Sequence, residues 1–389
     1  MSLADSSNGV YPPSLFLMAN TFETGGGERQ FATIAGNLNP QHLQVRLGCL
    51  RKRGPFAEGL HGVVEFPPEG SLFKLRSQRA RWQLGRYLRA NRVLIAHSFD
   101  FYSNFMMIPS ARLAGVPVVL ASQRQLGDLM SRFRNVAQHA LFRFCDRVVC
   151  NSRAAASGLQ QAGISPHKLV VIGNALPGEI FAEQQPALPL VQGALRVVMI
   201  ARMNDPAKRH DIFLKAAARL SSRHPKIEFV LVGDGPLRPG LEEMAAKLGL
   251  GNRVTFLGDR RDVSAILASA DISVLPSISE SLSNAIMESM AAGVPVVACR
   301  IGGNEELIRD GESGFLVQAG SDEDLAARVE SLVDQPGLRK SFGAAAKRNA
   351  QNFSVEKICE QYERLYMSLL EEKGMGKAVL AKSPLERGV

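Results

Sequence analysis

The chain has 389 residues, 46 % hydrophobic and 21 % charged, with glycine and proline dispersed along it, which fits two α/β domains and excludes a disordered protein. No uninterrupted apolar run reaches the length of a membrane span. The best stretch, Phe105 to Leu120, is broken by Pro109, Arg112 and Pro117, and no basic segment precedes an apolar core at the N-terminus, so neither a spanning helix nor a secretion signal is expected. Five cysteines (Cys49, Cys145, Cys150, Cys299, Cys359) without C-x-x-C spacing argue against a disulfide framework and a zinc site, and read as buried reduced thiols of a cytoplasmic protein. The net charge of +9 lies in the first half. Residues 1–180 carry 20 Lys and Arg against 10 Asp and Glu, and the remainder 26 against 27. That half is expected to meet an anionic partner, whether membrane surface, phosphorylated lipid or nucleic acid.

Short apolar runs alternate with helical stretches, the pattern of parallel sheets with crossover helices. In a first domain over residues 1–182, strands are expected at Leu15–Ala19, Gln44–Cys49, Val93–Ala96, Val116–Ala121, Asp146–Asn151 and Leu169–Ile172. The turn Thr24-Gly25-Gly26-Gly27-Glu28-Arg29 follows the first strand and opens a helix, a place where backbone can approach an anion. Its spacing is not G-x-G-x-x-G, and no acidic residue ends the second strand, so dinucleotide binding is not supported. The stretch Lys74–Arg92 carries Lys74, Arg76, Arg79, Arg81, Arg86, Arg89 and Arg92, with Leu72, Leu75, Trp82, Leu84 and Leu88 as its apolar positions. Such a helix suits an anionic membrane, and equally a crossover helix with a solvated basic face. His97 follows the third strand, at a sheet edge, and Arg124, Arg132, Arg134 and Arg143 continue the basic theme.

Glu183–Gly193, with Pro186 and Pro189, reads as a linker to a second domain over residues 194–354. Strands are expected there at Arg196–Ile200, Glu228–Val232, Arg253–Leu257, Ile272–Leu275, Val294–Ala298 and Gly314–Val317. Residues 355–372 should form a closing helix that packs back toward the first domain, and the tail from Lys373 on has no periodic pattern.

Turns at the carboxyl ends of these strands carry the candidate chemistry. Arg202 and Lys208 follow the first strand of the second domain, two cations suited to a diphosphate leaving group. After Ile272–Leu275, Ser279 to Asn284 are helix-start residues, and the first-turn amides of the helix they open, at the positive end of its dipole, suit a phosphate. Glu280, on the loop, can accept from sugar hydroxyls, and Glu288, inside the helix, from a ribose. Gly302-Gly303 opens another helix, and Gly233-Asp234-Gly235-Pro236 reads as a tight turn.

Together, Arg202 with Lys208, Glu280 with Glu288 seven intervening residues on, the run ESMAAGVPVVA over 288–298, and Gly302-Gly303 ahead of Glu306 resemble the family 4 glycosyltransferases. The resemblance covers about residues 15–370 and is strongest over 196–318. It implies a GT-B fold, two doubly wound Rossmann-like domains facing across a cleft, and a retaining enzyme without metal or other cofactor. By the same resemblance Arg202 and Lys208 neutralise the donor diphosphate and Glu280 meets the donor sugar. The segment Leu282–Ser283–Asn284 holds phosphate oxygens, Glu288 binds the ribose, and the Gly258–Arg260 turn lies near the base. Gly25 and Gly26 match the family's first glycine loop at the donor phosphate, and His97 matches the first position of a His-x-His near the transferring sugar. Where many members carry Gly and a bulky residue, this chain has Ser281-Leu282-Ser283, which bears on sugar selection.

The expected donor is a UDP- or GDP-linked hexose or N-acetylhexosamine. The expected acceptor is a cell-envelope glycan or lipid-linked molecule, met in the cytoplasm or at the inner membrane face. An epimerase-like GT-B enzyme is the near alternative. A basic nucleic-acid-binding protein is the distant one, disfavoured because no recognisable RNA- or DNA-binding module is present.

Overall fold

The structure, a computed structural model, describes residues 12–23, 25–68, 77–189 and 191–375. Thr24, Leu72, Lys74, Leu75 and Arg76, and the tail beyond Met375, lie outside the described residues. Consecutive parallel strands need a crossover long enough to return over the sheet, and α-helices supply most of them, while the second and third strands are joined through the 3-10 turn Pro55–Ala57. Seven strands form one parallel sheet: β1 (Ser14–Ala19), β2 (Gln44–Cys49), β3 (Val64–Glu65), β4 (Ile95–Ser98), β5 (Val118–Gln123), β6 (Arg147–Cys150) and β7 (Leu169–Val171). Their order is β3-β2-β1-β4-β5-β6-β7. Six more form a second: β8 (Leu195–Ile200), β9 (Ile227–Val232), β10 (Val254–Phe256), β11 (Ile272–Leu275), β12 (Val296–Cys299) and β13 (Gly314–Val317), ordered β10-β9-β8-β11-β12-β13. In each sheet the winding reverses beside its first strand, between β1 and β4 and between β8 and β11. Loops splay apart at such a reversal and leave room for a ligand at the carboxyl ends.

The chain divides into two units. The first takes residues up to Asn151, Ala155–Ala175 and the segment from Val355 on; the second takes Ser152–Ala154 and Leu176–Ser354. The division thus falls between residues 175 and 176, and the short 3-10 turn Gly178–Phe181 counts with the second unit. Helix Val355–Glu372 packs in the first unit, where its Glu363 accepts from the Asn39 amide at 2.8 Å.

Both sheets are buried on two faces, which is why their strands read as continuous apolar runs. In β1, Leu15 and Leu17 pack with Phe31, Ile34, Tyr362 and Tyr366, while Phe16 and Met18 point oppositely toward Leu84, Met106 and Ile108. In the second unit, Val197 and Met199 of β8 pack with Phe213, Leu220 and Val329, and Val198 packs with Ile266 and Leu267. All five cysteines are free and buried, and burial pushes the thiols of Cys49, Cys145, Cys150 and Cys359 up to about 12, so they stay protonated and inert.

β3 is a two-residue edge strand too short to leave a sequence pattern. β4 starts two residues later than expected because Arg92, at φ 48°, and the Val93 amide, bonded to the Leu88 carbonyl, still belong to the preceding helix end. This shift corrects the reading of His97. It lies inside β4, paired with Leu17 of β1 and Leu120 of β5, at the middle of the sheet and fully buried. Its Nδ1 is 2.8 Å from the Tyr366 hydroxyl and its Nε2 2.9 Å from Ser122 Oγ, so both ring nitrogens are occupied. Burial, with the charge of Arg124 second, drives its pKa from 6.5 down to about 3, and the ring is neutral in the fold.

A histidine depressed in the folded state stabilises least in acid. The contribution is complete above the unfolded pKa and is lost as pH falls from about 6.5 toward about 3. Between about pH 7 and pH 5 this amounts to about 2 kcal/mol. Urea unfolding at the two pH values should show that His97→Gln loses about 2 kcal/mol less on acidification than the wild-type chain. An equal acid loss in both would mean that His97 is solvated.

Candidate functional site

The carboxyl ends of β8, β9, β11 and β12 in the second unit carry four loops joined by specific contacts. After β8, the Ala201 amide bonds the Val232 carbonyl, Met203 N–H bonds the Asp234 carbonyl, and Leu237 N–H bonds the Met203 carbonyl, each at 2.9 Å. The Gly-Asp-Gly turn is therefore more than a turn, because it clamps the loop that bears Arg202. Gly233, at φ 130°, is required there: a Cβ would fall 2.2 Å from the Ala201 oxygen.

The loop then tightens. The Asp205 carboxylate accepts from the Ala207 amide at 2.9 Å and caps a single 3-10 turn, Pro206–Lys208. Arg209, left-handed at φ 56°, ends the turn and leads into helix His210–Arg223. Its guanidinium is fixed by Asp211 through two bonds of 2.9 Å, which raise the arginine pKa and lower that of the aspartate. A non-glycine residue in this conformation is uncommon and costs energy, and the ion pair offsets it.

Lys208 leaves this turn and places Nζ 2.5 Å from Oε1 of Glu280, on the loop after β11. The Glu280 side chain is 10 % exposed and that of Lys208 28 %. Beside the pair, Ile278 N–H bonds the Ala207 carbonyl at 2.9 Å, so the two loops are joined through both main and side chains. A third loop completes the set, with Gly303 N–H bonding the Glu280 carbonyl at 3.1 Å. Gly303 has an ordinary φ of −75°, yet a Cβ would lie 1.8 Å from the Ser281 oxygen, so contact rather than torsion dictates glycine.

Helix Asn284–Ala291 starts directly after this cluster. Ser283 caps it by accepting from the Ile286 amide at 3.4 Å, and Asn284 is its first residue. The first-turn amides carry the positive end of the helix dipole toward the loops that hold Lys208 and Glu280. Leu282 is buried at the helix entry, Ser281 Oγ is 3.1 Å from Ser152 Oγ, and Glu288 is buried in the second turn.

Of the residues singled out in the sequence, the structure brings Lys208 into contact with Glu280, sets Arg202 on the same loop as Lys208, and places Leu282, Ser283 and Asn284 next along the chain. Gly258 joins from β10, its carbonyl accepting from Gly233 at 2.8 Å, and Arg260 is held by Asp262 at 2.5 and 2.8 Å. Gly25 caps helix Gly26–Asn37 in the first unit, and His97, also there, is enclosed in the sheet. The Gly233-Asp234-Gly235-Pro236 turn stands at the fourth strand end that the sequence offers for phosphate chemistry, whereas the capping role of Asp205 has no signal in the sequence beyond Pro206 after it. Among the described residues, His224, Glu330 and Asp334 lie close enough to hold an ion, but Glu330 already pairs with Arg223 and His224 at 2.8 and 3.0 Å, away from these loops.

Two protein families match the chain: one described as Glycosyl transferases group 1 over residues 181–349, the other as Glycosyltransferase Family 4 over residues 24–177. The lipopolysaccharide core biosynthesis glycosyltransferase LpsE of Rhizobium meliloti is 31 % identical over 245 residues, 63 % of this chain and 69 % of that protein. EpsD of Bacillus subtilis is 32 % identical over 234 residues, 58 % of this chain and 60 % of that one. The D-inositol 3-phosphate glycosyltransferase of Rhodococcus erythropolis is 33 % identical over 241 residues, 57 % and 54 %. The chain thus spans little more than half the length of some curated relatives. Among solved structures, Anabaena HepE in complex with UDP-glucose superposes with a TM-score of 0.80 at 22 % identity, covering 91 % of this chain and 99 % of that one. A glycosyltransferase from Rickettsia africae gives 0.80 at 20 % identity, covering 93 % and 100 %.

The loop cluster predicts a sharp contrast between two glycines. Gly303→Ala should destabilise by about 1–3 kcal/mol through overpacking against Ser281. Gly240→Ala, in helix Arg238–Lys247 with nothing within 4 Å of the added carbon, should be neutral or stabilise by up to about 1 kcal/mol. Melting curves decide, and equal transitions for the two variants would show that the third loop is not packed as described.

Proposed function

Because the chain belongs to the family 4 glycosyltransferases, of GT-B fold, we propose that it transfers a hexose or N-acetylhexosamine, with retention, from a nucleoside-diphosphate sugar to a cell-envelope glycan or lipid-linked acceptor. The observation that carries the reading is the Lys208–Glu280 contact, which sets a cation for phosphate beside a carboxylate for sugar hydroxyls at the N-terminus of helix Asn284–Ala291. UDP-linked sugars are the first donors to test, since Anabaena HepE was solved with UDP-glucose.

In the proposed reaction the bond between the anomeric carbon and the diphosphate oxygen breaks as the acceptor hydroxyl attacks from the same face. Its proton passes to the departing phosphate. Negative charge grows on the diphosphate, and Lys208, Arg202 and the amides at Ser283–Asn284 lower the barrier by stabilising it. Glu280 has two tasks: it holds the Lys208 ammonium in place, which reduces the side-chain entropy lost on donor binding, and it accepts from the sugar. Glu288 serves the ribose, with the Gly258–Arg260 turn toward the base. No metal is assigned, because the cations on this loop supply the positive charge. Among the described residues no helix is long and apolar enough to cross a membrane. Independently of that, a lipid-linked acceptor would set the proposed reaction at the inner face of the cytoplasmic membrane.

A thermal-shift panel of nucleoside diphosphates and their sugars should single out one nucleotide, with a stabilisation of about 2.7 kcal/mol at a hundredfold excess over Kd. Lys208→Ala and Arg202→Ala should each lose about 2–4 kcal/mol of transition-state stabilisation while folding normally. Glu280→Gln should weaken nucleoside-diphosphate binding about fivefold, because it frees Lys208, and should lower the transfer rate by more, because it also removes the sugar contact. No shift with any nucleotide, or full transfer by Lys208→Ala, would contradict the assignment.

A further inference from the structure

Helix Ser77–Ala90 turns Ala80, Leu84 and Leu88 into the core of the first unit and leaves Arg79, Trp82, Arg86 and Arg89 on one outward stripe. Trp82, expected among the apolar positions of this helix, is 61 % exposed, with the Arg86 guanidinium 4.7 Å from its ring centroid. Helix Phe101–Leu113 packs against this helix and against helix Arg132–Phe142. Arg89 donates to the carbonyls of Leu113 and Ala114, Arg112 to that of Phe144, and Arg134 lies 5.7 Å from the Phe101 ring, so the three helices form one continuous layer. On that layer Phe133 is 73 % exposed and Phe144 62 %, and Val136 and Leu113 are exposed with them. Between Ser77 and Arg143 the sequence has ten arginines, no lysine and two aspartates. One of these, Asp100, is spent on the amides of Asn20, Tyr102 and Ser103.

Single exposed apolar residues are ordinary, but several aromatic and aliphatic side chains on one arginine-rich helical layer are not. Nucleic acid would use the arginines and stack on the aromatics, yet it gives Val136 and Leu113 nothing to bury against. A bilayer surface accommodates every group. Tryptophan and phenylalanine enter the headgroup boundary, aliphatic side chains follow, and arginine stems reach back so that guanidinium groups pair with lipid phosphates. We infer that this layer of the first unit docks on a bilayer rich in anionic phospholipid, with Trp82, Phe133, Val136 and Phe144 inserted and Arg79, Arg86, Arg132 and Arg134 on the headgroups. The inference rests on the proposed lipid-linked acceptor, to which it gives a place of encounter, and it involves none of the residues proposed to hold the donor.

Trp82 is the chain's one tryptophan, so the wild-type protein reports its own insertion. Its emission should shift to shorter wavelength with phosphatidylglycerol–phosphatidylcholine vesicles and not with phosphatidylcholine alone, and brominated acyl chains should quench it. Phe133→Ser with Phe144→Ser, Trp82 intact, should partition about tenfold more weakly into the same vesicles. Emission unchanged by anionic vesicles, or changed equally by neutral ones, would overturn the inference. So would vesicle binding unaffected by the paired substitution. Quenching of Trp82 by single-stranded DNA without a vesicle response would assign the layer to nucleic acid instead, and burial of Trp82 on self-association in sedimentation would assign it to a second copy. A nucleotide-sugar melting shift on the same preparation separates the two proposals: vesicle insertion without donor binding fells the transferase reading alone, and donor binding without insertion fells this one alone.

Discussion

The second unit's candidate site depends on a single ion pair between loops. Lys208 and Glu280 lie 72 residues apart in sequence and meet at 2.5 Å, in a position where neither is freely solvated. An exposed pair of this kind contributes little, but partial burial and the adjacent Ile278–Ala207 main-chain bond give it a fixed geometry. Everything else in the cluster serves that geometry. The Gly-Asp-Gly turn holds the loop of Arg202, Asp205 and the left-handed Arg209 form the turn that ends in Lys208, and Gly303 lets a third loop bond the backbone of Glu280. With its charges already matched, the proposed site would receive an anion by redistributing hydrogen bonds rather than by ordering side chains.

The sheet explains why these loops meet at all. Strand β8 pairs with β9 on one side and β11 on the other, so the loops after all three open at the same edge. Two-faced burial then fixes the strands against sliding, since a one-residue slip in β8 would exchange Val197 and Met199 for Val198 between opposite cores. The scaffold is rigid where the chemistry needs fixed distances. The functional groups themselves sit on loops, where sequence can vary without cost to the core.

Much of this was legible in the chain because parallel strands announce themselves. The runs Gln44–Cys49, Ile272–Leu275 and Gly314–Val317 match β2, β11 and β13 residue for residue, the first by its alternation of polar Gln44 and Arg46 with apolar Val45 and Leu47, the other two as short apolar runs bounded by turn residues. The helix start at Ser283–Asn284 was equally plain from its capping residues. What failed was long-range. His97 has a polar side chain at a strand end in sequence, and its burial is made tolerable by Tyr366, 269 residues on, together with Ser122 of β5. Trp82 occupies a position with apolar neighbours at helical spacing, yet helix Phe101–Leu113 takes up the opposite face and leaves the indole outside. The clamp made by Gly233 required knowing that Ala201 passes within 2.2 Å of where its Cβ would be, and local pattern carries no such distance.

The ion pair also makes the account testable at one point. If Lys208 is positioned for phosphate by Glu280, the two residues must be energetically coupled in donor binding. A double-mutant cycle of Lys208→Met and Glu280→Gln, read by calorimetry with the nucleotide sugar that the chain binds, measures that coupling directly. The account predicts an interaction energy of at least about 1 kcal/mol, within the range found for residues in contact. Losses that add within about 0.3–0.5 kcal/mol, as for distant and independent sites, would contradict it.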